Sequence, residues 1–178
     1  MKYLFYIFNV IGFKVCWWAC VLGAINNQKF LGPLLVLAYL IIHLYSIPNK
    51  SRNMEIYLLL IAGIFGTLVD SLLLNLSILS YEGMYNQISY IAPLWITGMW
   101  VGFTATLNHA FKNIMKKYFT QIILGLIAGP IAYATGNGLG AIKFNPIYNE
   151  NFTLLIIALV WGFSFPFLCW MSNQIRNQ

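Results

Sequence analysis

Acidic residues are nearly absent from this chain: four stand among 178 residues, and charged residues of either sign make up only 8%. Soluble domains carry roughly 25% charged residues, so a soluble globular protein is excluded. The sequence also lacks internal repeats, low-complexity tails, a Gly-rich nucleotide loop, a nucleophile motif and any cluster with metal-ligand spacing. ATP-driven chemistry and covalent catalysis of a recognisable kind therefore find no support. Cysteine is equally sparse. Cys16, Cys20 and Cys169 all lie in apolar stretches, where thiols act as small packing residues and reveal nothing about redox compartment.

What the chain has in abundance is hydrocarbon. Hydrophobic residues make up 60% of it, and the mean hydropathy is +0.74. Crossing a bilayer takes about 20 apolar residues, and apolar runs of about that length occupy 4–25, 30–47, 56–79, 90–111, 119–142 and 152–171. The expected fold is all-α: a polytopic six-transmembrane-helix bundle forming a single integral membrane domain over 1–178. The first run resembles a signal peptide only superficially, because Lys14 interrupts its core and Trp17 and Trp18 stand where a peptidase needs small residues.

The net charge of +6 is no nucleic-acid footprint, because the basic residues fall in alternate loops. With the N-terminus inside, Lys2, Lys50, Arg52, Lys112, Lys116, Lys117 and Arg176 lie on the cytoplasmic side and only Lys29 and Lys143 outside. The positive-inside rule then places both termini in the cytoplasm. Tyr3, Tyr45, Tyr57, Tyr81, Tyr85, Tyr90, Tyr118 and Tyr148 fall at run ends, as interfacial anchors do.

Ionisable residues inside apolar runs are expensive and therefore informative. Asp70 is the only such acid and Lys14 the only such base. On a helix, Gly63, Gly66, Thr67, Leu74 and Ser77 share the Asp70 face, so that face points into the bundle. Two readings stand side by side: a buried Lys14–Asp70 ion pair, and a functional acid tuned by Lys14. The fourth run ends in Thr106-Leu107-Asn108-His109, making Asn108 and His109, with Asp70, the catalytic candidates. His43 lies at similar depth. Two histidines at matched depth, His43 and His109, could ligate haem or a metal, but with two ligands and no supporting carboxylate at that level the expectation is no cofactor and no metal.

Gly125, Gly129, Ala132, Gly136 and Gly140 form a small-residue seam on the fifth run, interrupted by Pro130 and loosened at Gly136-Asn137-Gly138. A kinked or unwound outer half would line a pocket, with Lys14, Trp95, Tyr133 and Asn137 as ligand-binding candidates beside Asp70.

These residues resemble a family of small bacterial inner-membrane proteins classed as a domain of unknown function. The resemblance rests on Trp17 with Cys20-Val21-Leu22-Gly23-Ala24, Gly32-Pro33, Gly66 with Asp70-Ser71-Leu72-Leu73, and Ala92-Pro93-Leu94-Trp95. It continues through Trp100, Phe103, Thr106-Leu107-Asn108-His109, Gly129-Pro130, Tyr133, Gly136 and Leu139-Gly140-Ala141. It implies a bacterial inner-membrane location, and genes near cyclopropane fatty-acid synthase and other lipid-modifying enzymes. The leading expectation is membrane-lipid modification or handling, with membrane lipids, a membrane protein partner or a second copy as partners and no nucleic acid. The alternatives are a ligand-binding component like the substrate-binding subunits of vitamin transporters, and a non-catalytic scaffold.

Overall fold

In the computed structural model, which describes residues 2–176 and side chains from Leu4 onward, six α-helices carry most of the chain. They are α1 Lys2–Ile25, α2 Leu31–Ser46, α3 Asn49–Asn75, α4 Leu94–Leu107, α5 Tyr118–Gly138 and α6 Glu150–Arg176. A single 3-10 turn covers Lys112–Ile114, and two short strands, β1 Leu79–Tyr81 and β2 Ile142–Phe144, pair antiparallel with Ser80 opposite Lys143. The charge expected at Lys2 and the anchor expected at Tyr3 fall outside the described side chains.

Helices α1 from Leu4, α3, α5 and α6 are long and apolar enough to cross a membrane. The other two are shorter: α2 has 16 residues and α4 has 14, reaching about 24 and 21 Å against a hydrocarbon core of ~30 Å. The six full-length runs of the sequence are thus four long helices and two short apolar ones. The differences have local causes. Extended backbone at Pro93 starts α4 at Leu94, and Asn108 caps its end. Pro48 opens α3 at Asn49, earlier than hydropathy implies because the first turns are polar. Arg52 on that polar turn donates from Nε to the Leu44 carbonyl at 2.8 Å, satisfying an orphan acceptor at the end of α2.

The apolar run through Leu79 does not continue α3. Ser77 adopts the left-handed conformation at φ 54°, and the Ile78 amide donates back to the Leu73 carbonyl at 3.0 Å. Helix α5 ends the same way, with Gly140 at φ 85° and the Ala141 amide on the Gly136 carbonyl at 3.0 Å. Both are left-handed helix caps. Each releases the chain directly into a strand, and the strands find each other. Helix α5 itself runs as one helix past Pro130 and through Gly138, so of the kinked and unwound alternatives left open by its Gly and Pro content, the unwound outer half does not form.

Helix α1 packs on α2, α3 on α4, and α5 on α6, while α4 also meets α1, α2 and α6. The short α4 is therefore central, with Trp95 and Trp100 1% and 2% exposed. Two glycine notches admit indole rings. A Cβ at Gly66 would sit inside the Trp100 ring, and one at Gly129 would strike the Trp161 side chain. The two indoles then stack at 4.6 Å between centroids, 8° from parallel.

Gly66→Ala is expected to destabilise the protein by about 1–3 kcal/mol, since a methyl group there forces Trp100 out of place. The control is Gly138→Ala, whose Cβ meets nothing within 4 Å. Melting in detergent should show a clear loss for the first and none for the second; equal shifts would contradict the notch.

Candidate functional site

The helices end on two faces. One carries Lys50, Arg52, Lys112, Lys116, Lys117 and Arg176 and is called here the basic face; the other carries the β1–β2 pair and is called the hairpin face.

Toward the hairpin face, Asp70 is fully buried. Tyr81 and Tyr133 each donate a hydroxyl to its Oδ1 at 2.6 Å, and Trp100 donates Nε1–H to its Oδ2 at 2.6 Å. Strand alternation explains why Tyr81 reaches it: Leu79 and Tyr81 point inward while Ser80 points out. Tyr81 is thus not the interfacial anchor its position at a run end implied. Burial first, and then the adjacent carboxylate, push the Tyr81 phenol well above its ordinary value, so it stays a donor. Lys14 takes no part. Among the described residues the acid–base contacts are His43–Glu55 and Lys143–Glu82, and Lys14 lies exposed on α1. The Lys14–Asp70 pair is replaced by three neutral donors from α4, α5 and β1.

Trp100 and Tyr133 turn their other faces into a cavity of about 410 Å³ walled by α1, α4, α5 and α6. Its lining is apolar and aromatic, with Trp17, Trp95 and Trp161 among it and Lys14 the one charged side chain. Exposed Lys14, Trp18 and Ala128 lie on the α1 and α5 sides of the cavity, marking where it opens. Of the four expected ligand-binding residues, Lys14, Trp95 and Tyr133 line this space. Trp95 is held there by Nε1–H donation to the Glu82 carbonyl at 2.9 Å. Asn137 does not line it; its Oδ1 accepts the Phe144 amide at 3.1 Å and ties β2 to α5.

At the basic face, Asn108 and His109 meet a set of residues that hydropathy had not singled out. Asn108 donates to Glu55 Oε2 at 3.1 Å and accepts on Oδ1 from Ser172 at 2.8 Å and from Arg176 at 2.9 Å. Glu55 Oε1 lies 3.4 Å from His43 Nε2, and His43 Nδ1 lies 2.8 Å from Asn9 Oδ1, which also accepts the Tyr39 hydroxyl at 2.9 Å. Glu55 supplies the carboxylate that the apolar runs do not show at this level. It stands one residue before the apolar run, and the helix begins six residues earlier still. The His43 and His109 rings meet edge to face with centroids 5.1 Å apart. Asp70 is excluded from this cluster by distance: fifteen residues of α3 separate it from Glu55, about 22 Å of helix.

The sequence model of a family described as "Protein of unknown function (DUF2878)" matches residues 6–167. The chain belongs to that family. No curated protein and no solved structure matches it. The DUF2878 match spans Asp70, every residue lining the aromatic cavity, and the Asn9, Tyr39, His43, Glu55, Asn108 and His109 side chains of the polar cluster, with Ser172 and Arg176 lying beyond its end.

Removing the carboxylate leaves three donors buried and unpaired at about 1–3 kcal/mol each. Asp70→Ala is therefore expected to collapse folded yield, as read by size-exclusion chromatography in detergent. Adding Lys14→Met should rescue nothing; rescue would restore the ion pair.

Proposed function

We propose that this DUF2878 member holds a hydrocarbon chain of a membrane lipid in the aromatic cavity between α1 and α5, and so serves membrane-lipid handling or modification. The observation that carries the reading is the lining: tryptophan and aliphatic surface within the ~300–1,000 Å³ range of small-molecule sites, reachable from the side of the bundle. A buried polar ligand needs several convergent polar partners; the Tyr133 hydroxyl and Trp95 indole N–H are engaged by Asp70 and Glu82, which leaves the buried, unpartnered Trp161 indole N–H and Lys14 at the opening. Hydrocarbon fits this lining better than a vitamin-like molecule does.

In this reading all six helices cross a bacterial inner membrane, the short α2 and α4 doing so with the help of their flanking turns. Both termini are cytoplasmic, because the six lysines and arginines of the basic face outnumber Lys29 and Lys143 on the other. Asp70 acts as a positioning residue, saturated by its donors and setting the cavity wall. Any chemistry on a bound lipid falls to Asn108 and His109, whose groove opens at the basic face beside Lys112 and Arg176. The lipid-modifying gene association implied by the family resemblance points the same way.

Native mass spectrometry of protein extracted gently from its own membrane should retain one lipid per chain. Ala132 lines the cavity, and Ala132→Trp should fill it and release that lipid while leaving the protein folded. An empty wild type, or full retention in Ala132→Trp, would overturn the reading.

A further inference from the structure

The polar cluster at the basic face contains an unresolved pairing. Asn9 donates its side-chain N–H to the Phe5 carbonyl at 2.8 Å, which turns its Oδ1 toward Tyr39 and His43. An amide oxygen only accepts, so His43 carries its proton on Nδ1 and gives it to Asn9. In the neutral ring, Nε2 is then a bare lone pair, and it faces a carboxylate oxygen of Glu55 at 3.4 Å. Two electron-rich atoms buried together need something positive between them. Beside them, the Nε2 of His109 is buried without a hydrogen-bond partner.

One ligand atom from each of His43, Glu55 and His109 lies within 4.8 Å of the others. We propose that these three residues form a binding site for a divalent transition-metal ion of the zinc class. Two imidazoles and one carboxylate are a recognised donor set for such ions, at about 2.0–2.2 Å from each ligand atom. Tetrahedral geometry at those lengths spaces ligand atoms by roughly 3.3 Å. The His43–Glu55 separation already matches, and His109, on the turn after α4, closes the rest.

The surroundings are those of a supported site. Metal-bound imidazoles donate their second nitrogen to a fixed acceptor, and bound carboxylates are themselves hydrogen-bonded. Asn9, held by Phe5 and Tyr39, does the first for His43; Asn108, held by Ser172 and Arg176, does the second for Glu55. The three ligands come from α2, α3 and the end of α4, and the supporting groups from α1 and α6, so the ion would join five helices. Glu55 and His109 border the groove that also contains Lys112 and Arg176. The space beside the proposed ion is therefore cationic, which suits an anionic oxygen, such as that of a phosphate or carboxylate, as a fourth ligand.

The test uses the full chain in detergent, purified without a histidine tag, stripped with chelator and reloaded with Zn²⁺ alone. Elemental analysis after desalting should find one zinc per chain, and Co²⁺ in its place should give the visible absorption of a four-coordinate site. Glu55→Gln and His109→Ala should each weaken Zn²⁺ binding at least ~100-fold, and Asn9→Ala, through His43 orientation, by ~10–100-fold. His109→Ala leaves the His43–Glu55 contact in place, and the wild-type stoichiometry needs no variant at all. Less than stoichiometric zinc in the wild type overturns the proposal, with a protonated His43 then pairing Glu55. Unchanged affinity in Glu55→Gln and His109→Ala overturns it equally, because the metal would be bound elsewhere.

Discussion

A carboxylate buried in an apolar bundle has to be answered by donors, and the way Asp70 is answered organises the hairpin half of this protein. Three groups converge on two oxygens, from α4, α5 and β1. For Tyr81 to arrive, α3 must stop at Asn75 and turn outward, which the left-handed Ser77 accomplishes. For Trp100 to arrive, α3 must present a glycine, and Gly66 is one turn before Asp70 on the same face. Tyr133 fixes the rotation of α5. The hydrogen bonds are individually modest, but an unmade one is costly in a medium without water, so the three act as a lock on helix register.

That lock has a second consequence at the cavity. Trp100, fixed by Asp70, stacks on Trp161, which is seated in the Gly129 notch of α5. Gly125 lets the Trp161 carbonyl lie close by, so α5 and α6 are joined tightly along one side. The same face of α5, through Gly125, Gly129, Ala132 and Tyr133, also lines the cavity toward α1. One set of contacts thus closes the bundle between α5 and α6 and sets the aromatic wall beside that seam. The polar cluster at the basic face is built differently, from amides, imidazoles, a carboxylate and Arg176, and it ties the opposite ends of the same helices. Two polar knots about 22 Å apart along α3 and an apolar space between α1 and α5 make up the interior.

Much of this was legible in the sequence and some of it was not. The apolar runs located all six helices, the small residues around Asp70 identified its inward face, and matched depth brought His43 and His109 together. Hydropathy misjudged the ends, because apolar residues continue past a helix cap: Leu76, Ile78 and Leu79 are apolar, yet the chain turns at Ser77 to make a strand. It overlooked Glu55 because polar helix turns lie outside apolar windows. It misread Tyr81 because position at a run end does not distinguish an anchor in head groups from a donor folded back into the core. Charge complementarity alone joined Lys14 to Asp70, whereas phenols and an indole can satisfy a carboxylate without a cation when backbone geometry delivers them. Asn137 carried no signal that its amide would serve a strand rather than a ligand.

The most direct test of the whole account is a high-resolution density map of the protein in a nanodisc of its native lipids. The account predicts elongated density lying against the stacked Trp100 and Trp161, between α1 and α5, with Asp70 still bonded to Tyr81, Tyr133 and Trp100. Helix α5 closed directly onto α1 with no space between them, or Asp70 opened to a water-filled channel, would contradict it.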